Sequence, residues 1–202
     1  MKSGMSKFVL ASGSRWRAQM LRDAGLDIET DPADIDERAV EAPLLKADLP
    51  PEDIATVLAE AKAMEVSERH PGVLVLGADQ VLSLNDKIYS KPETIEQARH
   101  NLLEMRGQTH VLHSALACVR DGETIWRYVE DAPMKMRNFT PEFLGHYLAE
   151  IGDMALASVG SYQIEGPGIQ LFEKVEANYF TIIGLPLLPL LAFLREQGVI
   201  ET

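Results

Sequence analysis

The chain has 202 residues, of which 46% are hydrophobic and 25% charged, so it has enough apolar surface for a sizeable core, and the balance excludes a fibrous or disordered chain. Its formal net charge of -12 argues against broad adhesion to nucleic acid or anionic lipid, which need a basic face. One cysteine, Cys118, excludes an intramolecular disulfide and a thiolate-built zinc site, and a reducing cytoplasm is the expected compartment. Residues 1–14 contain only the short apolar stretch 8–11, too little for a secretory signal, and residues 182–194 are interrupted by Pro186 and Pro189, so no membrane span is expected.

Residues 8–11 read as a short buried strand, followed by the polar turn Ser12-Gly13-Ser14 and a helical pattern with Met20, Leu21 and Ala24 on one face, stopped by Gly25. Asp34, Asp36 and Glu37 share one loop. Residues 51–69 form an amphipathic helix with acids in its first turn and Arg69-His70 at its last. Residues 73–76 are a continuous apolar strand, with Gly77-Ala78-Asp79 at its exit, a frequent position for chemistry in α/β folds.

Residues 81–84 and 87–89 flank Asn85-Asp86 as a hairpin, and Thr94 with Gln97 makes a capping box for a helix reaching Met105. Two long strands, 109–119 and 124–136, meet around Asp121-Gly122. Thr140-Pro141 starts a helix to Ile151, and Gly160, Gly166, Gly168 and Gly184 punctuate a loop-and-strand region before a buried C-terminal helix. No repeat or linker interrupts this mixture, so residues 1–202 are expected to form one α/β domain.

Because the chain is acidic, a polyanionic substrate would need local cations, and these are found beside particular turns. Ser12, Ser14 and Arg17 lie between a strand and a helix start, where hydroxyls, backbone N–H groups and a guanidinium can converge on phosphate; alone, the same turn reads as an N-cap. Asp34, Asp36, Glu37 and Asp79 could supply carboxylates for a hard cation and for orienting water, although on their own the first three read more simply as a solvated loop. Lys62 interrupts an apolar stretch, and Lys91 precedes Pro92; each suits a phosphate as a point charge, although alone each reads as a lysine snorkelling to the surface. His70, His100, His110, His113 and His146 show neither metal-ligand spacing nor a nucleophile partner, and read as structural.

Taken in order, these features resemble the Maf family of nucleoside triphosphate pyrophosphatases. The resemblance rests on residues 10–17 (Leu10-Ala11-Ser12-Gly13-Ser14-Arg15-Trp16-Arg17), Ile35-Asp36-Glu37, residues 59–63 around Lys62, Gly77-Ala78-Asp79, Lys91-Pro92, Gly107-Gln108-Thr109-His110, residues 160–166 and residues 179–187. It implies a mixed, elongated twisted sheet flanked by helices, with two lobes around a central substrate cleft, as in inosine triphosphatases. It further implies a Mg2+ or Mn2+ cofactor held by Glu37 and Asp79, with Asp79 as general base, Glu37 as a second catalytic carboxylate, and Ser12, Ser14, Arg17, Lys62 and Lys91 on the phosphates.

Trp16, Gln80 and Glu165 match the branch resembling 7-methyl-GTP pyrophosphatase, and would set substrate specificity in nucleotide-pool housekeeping; Arg15 departs from the family's proline. The alternatives are a thymidine or uridine triphosphate pyrophosphatase and a nucleotide-binding regulator of cell division without turnover. A small-molecule nucleotide is the expected partner, and a homodimer is a family-level expectation.

Overall fold

Residues 8–85 and 87–201 are described by a computed structural model of the chain. In chain order the elements are β1 (Phe8–Leu10), α1 (Arg15–Asp23), β2 (Ile28–Thr30), α2 (Glu37–Lys46), α3 (Pro51–Ser67), β3 (Leu74–Leu84), β4 (Lys87–Tyr89) and α4 (Ile95–Met105). They continue with β5 (Thr109–Arg120), β6 (Glu123–Met136), α5 (Pro141–Ile151), β7 (Phe172–Val175), α6 (Tyr179–Ile182) and α7 (Leu187–Glu196). This is the mixed α/β architecture expected from the sequence. Two compact units are built from interleaved segments: residues 8–80, Ser114–Glu130 and 179–201 form the first, and Val81–His113 with Asp131–Asn178 the second.

In the first unit β1 pairs in parallel with both β2 and β3, Phe8 standing opposite Ile28 and Leu74. Alternation along these strands sends side chains to opposite faces. One face carries Phe8, Leu10, Leu74, Leu76 and Ala78 against Ala18 and Leu21 of α1 and Leu187, Leu190, Phe193 and Leu194 of α7. The other carries Val9, Ala11 and Val75 against Ala63 and Val66 of α3. Leu10 is fully buried, so truncation to alanine there costs about 2–5 kcal/mol.

Gly77 continues the α3 face of β3. A Cβ at this position would lie 1.9 Å from the Ala59 carbonyl oxygen and 2.9 Å from the Ala63 nitrogen, so only glycine lets the helix backbone settle directly on the strand. Asp121 and Gly122 both have positive φ (52° and 75°), the pairing a tight two-residue turn between β5 and β6 requires.

In the second unit β4 returns antiparallel to the end of β3, with Leu84 opposite Lys87, and β7 pairs antiparallel with the end of β6. The expected hairpin therefore forms; Asn85 takes φ 54°, while Asp86 lies outside the described residues. Thr94 and Thr140 cap α4 and α5 by accepting from the Gln97 and Phe143 N–H groups at 3.1 and 3.2 Å.

Three readings change. Asp79 does not stand at a strand exit, because residues 74–84 run as one eleven-residue strand; the break suggested by Gly77 reflects close helix packing rather than a turn. Glu37 is not in a loop but opens α2, a helix hidden from sequence reading by the interior Pro43. Ala24 is exposed as the cap of α1, whose buried positions are Ala18 and Leu21. Among the described residues, no helix is long and apolar enough to cross a membrane.

Candidate active site

Asp79 follows Gly77 by two positions and so faces α3 as Gly77 does. On α3 the buried positions are Ile54, Ala55, Leu58, Ala59, Lys62, Ala63, Val66 and Ser67, a stripe at helical spacing in which Lys62 is the one cation. Close packing at Gly77 therefore delivers Lys62 to Asp79. Lys62 Nζ donates to Asp79 Oδ1 at 2.5 Å and pairs with Glu37 Oε1 at 2.8 Å. Lys62 and Asp79 are only 9% and 8% exposed, whereas the Glu37 side chain is half exposed.

Glu37 reaches this point as the first residue of α2, where Asp36 is the N-cap and accepts from the Ala39 N–H at 3.1 Å. A third carboxylate belongs to the same field. Glu41, one helical turn after Glu37, is held above the ordinary carboxyl range by burial, with repulsion from Asp79 and Glu37 added and Arg38 opposing. Sequence reading missed Glu41 because the Glu37-x-x-x-Glu41 spacing has meaning only on a helix.

On the other side of Asp79, Arg17 is fastened to the backbone. Its Nε donates to the Gly184 carbonyl at 2.8 Å, and its Nη1 donates to the Ala78 carbonyl at 2.9 Å and to Ser12 Oγ at 3.4 Å. Burial lowers the tendency of the guanidinium to hold its proton, and Asp79 and Glu37 oppose that shift. Gly184 makes room for the fork: its φ is 89°, and a Cβ there would meet Arg17 Nη2 at 2.9 Å. Ser14 Oγ accepts the Arg17 N–H at 3.4 Å, so its hydroxyl caps α1.

Gln80 turns to the face opposite Asp79, and its Nε2 donates to Ser114 Oγ at 2.8 Å, the Ile182 carbonyl at 3.0 Å and the Thr181 carbonyl at 3.2 Å. Ser114 Oγ in turn donates to the Thr181 carbonyl at 2.7 Å. These acceptors fix the orientation of the amide, nitrogen inward. Residues 181–184 are thereby tied to β3 at the two neighbours of Asp79. Ser114 carried no signal in the sequence, and within the matched stretch 179–187 nothing marked out Thr181 or Gly184, which contribute through backbone and packing.

An N-terminal polar turn, a buried lysine joining two carboxylates on separate elements, and an arginine held beside them form a site suited to water and phosphate. The model of the family described as "Maf-like protein" matches residues 7–197. The chain belongs to the Maf family. Its Maf relatives include a protein from Mesorhizobium japonicum named 7-methyl-GTP pyrophosphatase, 61% identical over 195 residues that cover 96% of this chain and 98% of the relative. One of the same name from Brucella suis is 56% identical over the same shares of both chains. A nucleoside triphosphate pyrophosphatase from Maricaulis maris is 47% identical, covering 98% of this chain and all of its own.

Trp16, the second residue of α1 in this Maf chain, is 36% exposed, and the Arg15 guanidinium lies 4.6 Å from its ring centroid. Arg15 thus stacks on the tryptophan while occupying the first helical position, where proline is also favoured. Lys91 and Glu165 belong to the second unit, and both are exposed. In that unit His113 is partnered after all: its Nε2 is 2.8 Å from Ser83 Oγ and its Nδ1 2.7 Å from Asp131 Oδ1. Ser83 is only 6% exposed, so this Ser–His–Asp chain ties three strands together and is closed to an acyl substrate.

Proposed function

We propose that the chain hydrolyses 7-methyl-GTP between its α and β phosphates, releasing 7-methyl-GMP and pyrophosphate in the cytoplasm. The observation that carries the chemistry is the contact of Lys62 with both Asp79 and Glu37. Water attacks the α phosphorus, Asp79 accepts its proton, and the bond to the bridging oxygen of the pyrophosphate breaks. Lys62 is a buried ammonium able to turn from the carboxylates toward the charge that develops on the leaving group. Arg17, already committed by Nε and Nη1, offers Nη2 to the same oxygens, with Ser12 beside it.

Glu37 and Asp79 suit a hard divalent cation, being oxygen donors from separate elements with Glu41 nearby; two carboxylates with substrate phosphates are a usual donor set for Mg2+. When bound, Mg2+ or Mn2+ would withdraw charge from the phosphates. The same Lys62 that neutralises both acids then keeps them from repelling one another before substrate arrives.

The base is assigned to Trp16 and Glu165. An indole face attracts the cationic ring of a methylated guanine, and a carboxylate accepts from guanine N1–H and the exocyclic amine. The experiment is pyrophosphate release across ordinary triphosphates and 7-methyl-GTP with Mg2+ or Mn2+, with Asp79→Asn as control. Preference for 7-methyl-GTP and a loss of roughly 100-fold or more in Asp79→Asn are expected. Preference for thymidine or uridine triphosphate would reject the base assignment, and full turnover by Asp79→Asn would reject Asp79 as the base.

A further inference from the structure

We propose that Tyr162 and His110 are a positioning pair that holds the loop carrying Glu165, so that removing the Tyr162 hydroxyl degrades discrimination between 7-methyl-GTP and GTP. The proposal rests on the assignment of Glu165 as a reader of the base. Glu165 itself is exposed, flanked by buried Ile164 and half-buried Gly166, and a carboxylate so placed can read a base edge only if its backbone is held.

The loop is held unusually firmly. Tyr162 Oη lies 2.7 Å from His110 Nε2, and the ring packs edge-on against Phe172, with centroids 4.8 Å apart. A Cβ at Gly160 would lie 2.2 Å from the Tyr162 ring, so the ring sits directly on the glycine backbone. At the far end, a Cβ at Gly168 would lie 2.5 Å from the Gln163 carbonyl oxygen, so the two limbs of the loop touch backbone to backbone. Ser158 Oγ donates to the Tyr162 carbonyl at 2.9 Å, Tyr147 Oη donates to the Ser161 carbonyl at 3.3 Å, and the Gly166 N–H donates to the Gln163 carbonyl at 3.2 Å.

Between these ties Ser161 takes φ 56°, a left-handed conformation that a non-glycine residue keeps only when its surroundings impose it. The hydrogen bond between Tyr162 and His110 anchors the residue that follows Ser161. His110 is fully buried and burial pulls its pKa down to about 4, so the neutral imidazole meets the Tyr162 hydroxyl through Nε2, and that hydroxyl also donates to Met134 Sδ at 3.7 Å.

The test compares the ratio of kcat/KM for 7-methyl-GTP over GTP in the unsubstituted protein, Tyr162→Phe, Glu165→Gln and the double variant. Tyr162→Phe keeps the ring on Gly160 and loses only the hydroxyl. It is expected to lower the ratio about ten-fold, on the scale of what small misplacements cost. In the Glu165→Gln background the same substitution should lower it no further, an outcome that general destabilisation would not produce. Equal losses on both substrates, or an undiminished effect in the Glu165→Gln background, would overturn the proposal. A ratio unmoved by Glu165→Gln would instead overturn the base assignment on which it rests. Should Tyr162→Phe fail to fold, Ser158→Ala removes a different tie of the same loop and carries the same test.

Discussion

Gly77→Ala probes the feature on which the site depends most. The new Cβ would stand 1.9 Å from the Ala59 carbonyl oxygen and 2.9 Å from the Ala63 nitrogen, both backbone atoms that no rotamer change can move. Bringing the first contact to even a tight separation requires α3 to retreat from β3 by more than about 1 Å. Overpacking of this kind costs about 1–3 kcal/mol, and in a chain of this length each kcal/mol lowers Tm by about 2–4 °C, so a fall of roughly 2–12 °C is expected. Lys62 lies three residues after Ala59 and moves with the helix, lengthening its 2.5 Å contact with Asp79. Misplacement by about 1 Å can cost on the order of 100-fold in turnover, well beyond what the fall in Tm alone produces at a temperature where the variant remains folded. Calorimetry and pyrophosphate release at 25 °C, performed on the same preparation, separate the two effects. Activity within two-fold of the unsubstituted protein would refute the argument that Gly77 sets the register of lysine and aspartate.

Lys62→Met removes the charge that joins Asp79 and Glu37. It leaves two carboxylates to repel each other, so about 3 kcal/mol of stability should be lost in urea unfolding. Unchanged stability would show that the lysine does not hold the two acids together. For His110 the folded value near 4 lies below the ordinary 6.5, so the unfolded chain binds the extra proton between those two pH values. Stability is therefore present above pH 6.5 and lost as pH falls through 4, by at most about 3 kcal/mol. Denaturant unfolding between pH 7 and pH 4 should show that slope in the unsubstituted protein and a shallower one in His110→Phe; parallel slopes would contradict the assignment.

Much of the site was legible because its residues break local patterns. Lys62 is a charge inside an apolar helical stripe, and Asp79 comes after an apolar strand segment, so both stand out against the burial expected of their neighbours. The fold was legible where punctuation is chemical, as at Thr94 with Gln97 or Asp121 with Gly122. Gly77 misled, because a glycine within a strand looks like an end when it is in fact a contact point. Pro43 concealed α2, and with it the helical spacing that makes Glu41 a neighbour of Glu37. Residues 179–187 stood out as a stretch, but the roles of Gly184 and of the Thr181 and Ile182 carbonyls were beyond reach: backbone acceptors leave no trace in residue type, and their partners Arg17 and Gln80 lie more than 100 residues away in the chain. His113, read as structural, keeps that role, and only its partners Ser83 and Asp131 were out of reach, being brought together by strand pairing.

The fastening of Arg17 to Gly184 has a consequence for when the enzyme comes into being during synthesis. Arg17 is made well before the carbonyl that receives its Nε, 167 residues later in the chain, and before the leucines of α7 that cover α1. Until then the nascent chain already carries Asp79, Lys62 and Glu37 but lacks the strap that ties down both neighbours of the aspartate. A message truncated just before residue 179 would therefore yield a chain with every charged group of the proposed reaction and no fixed place for them to work.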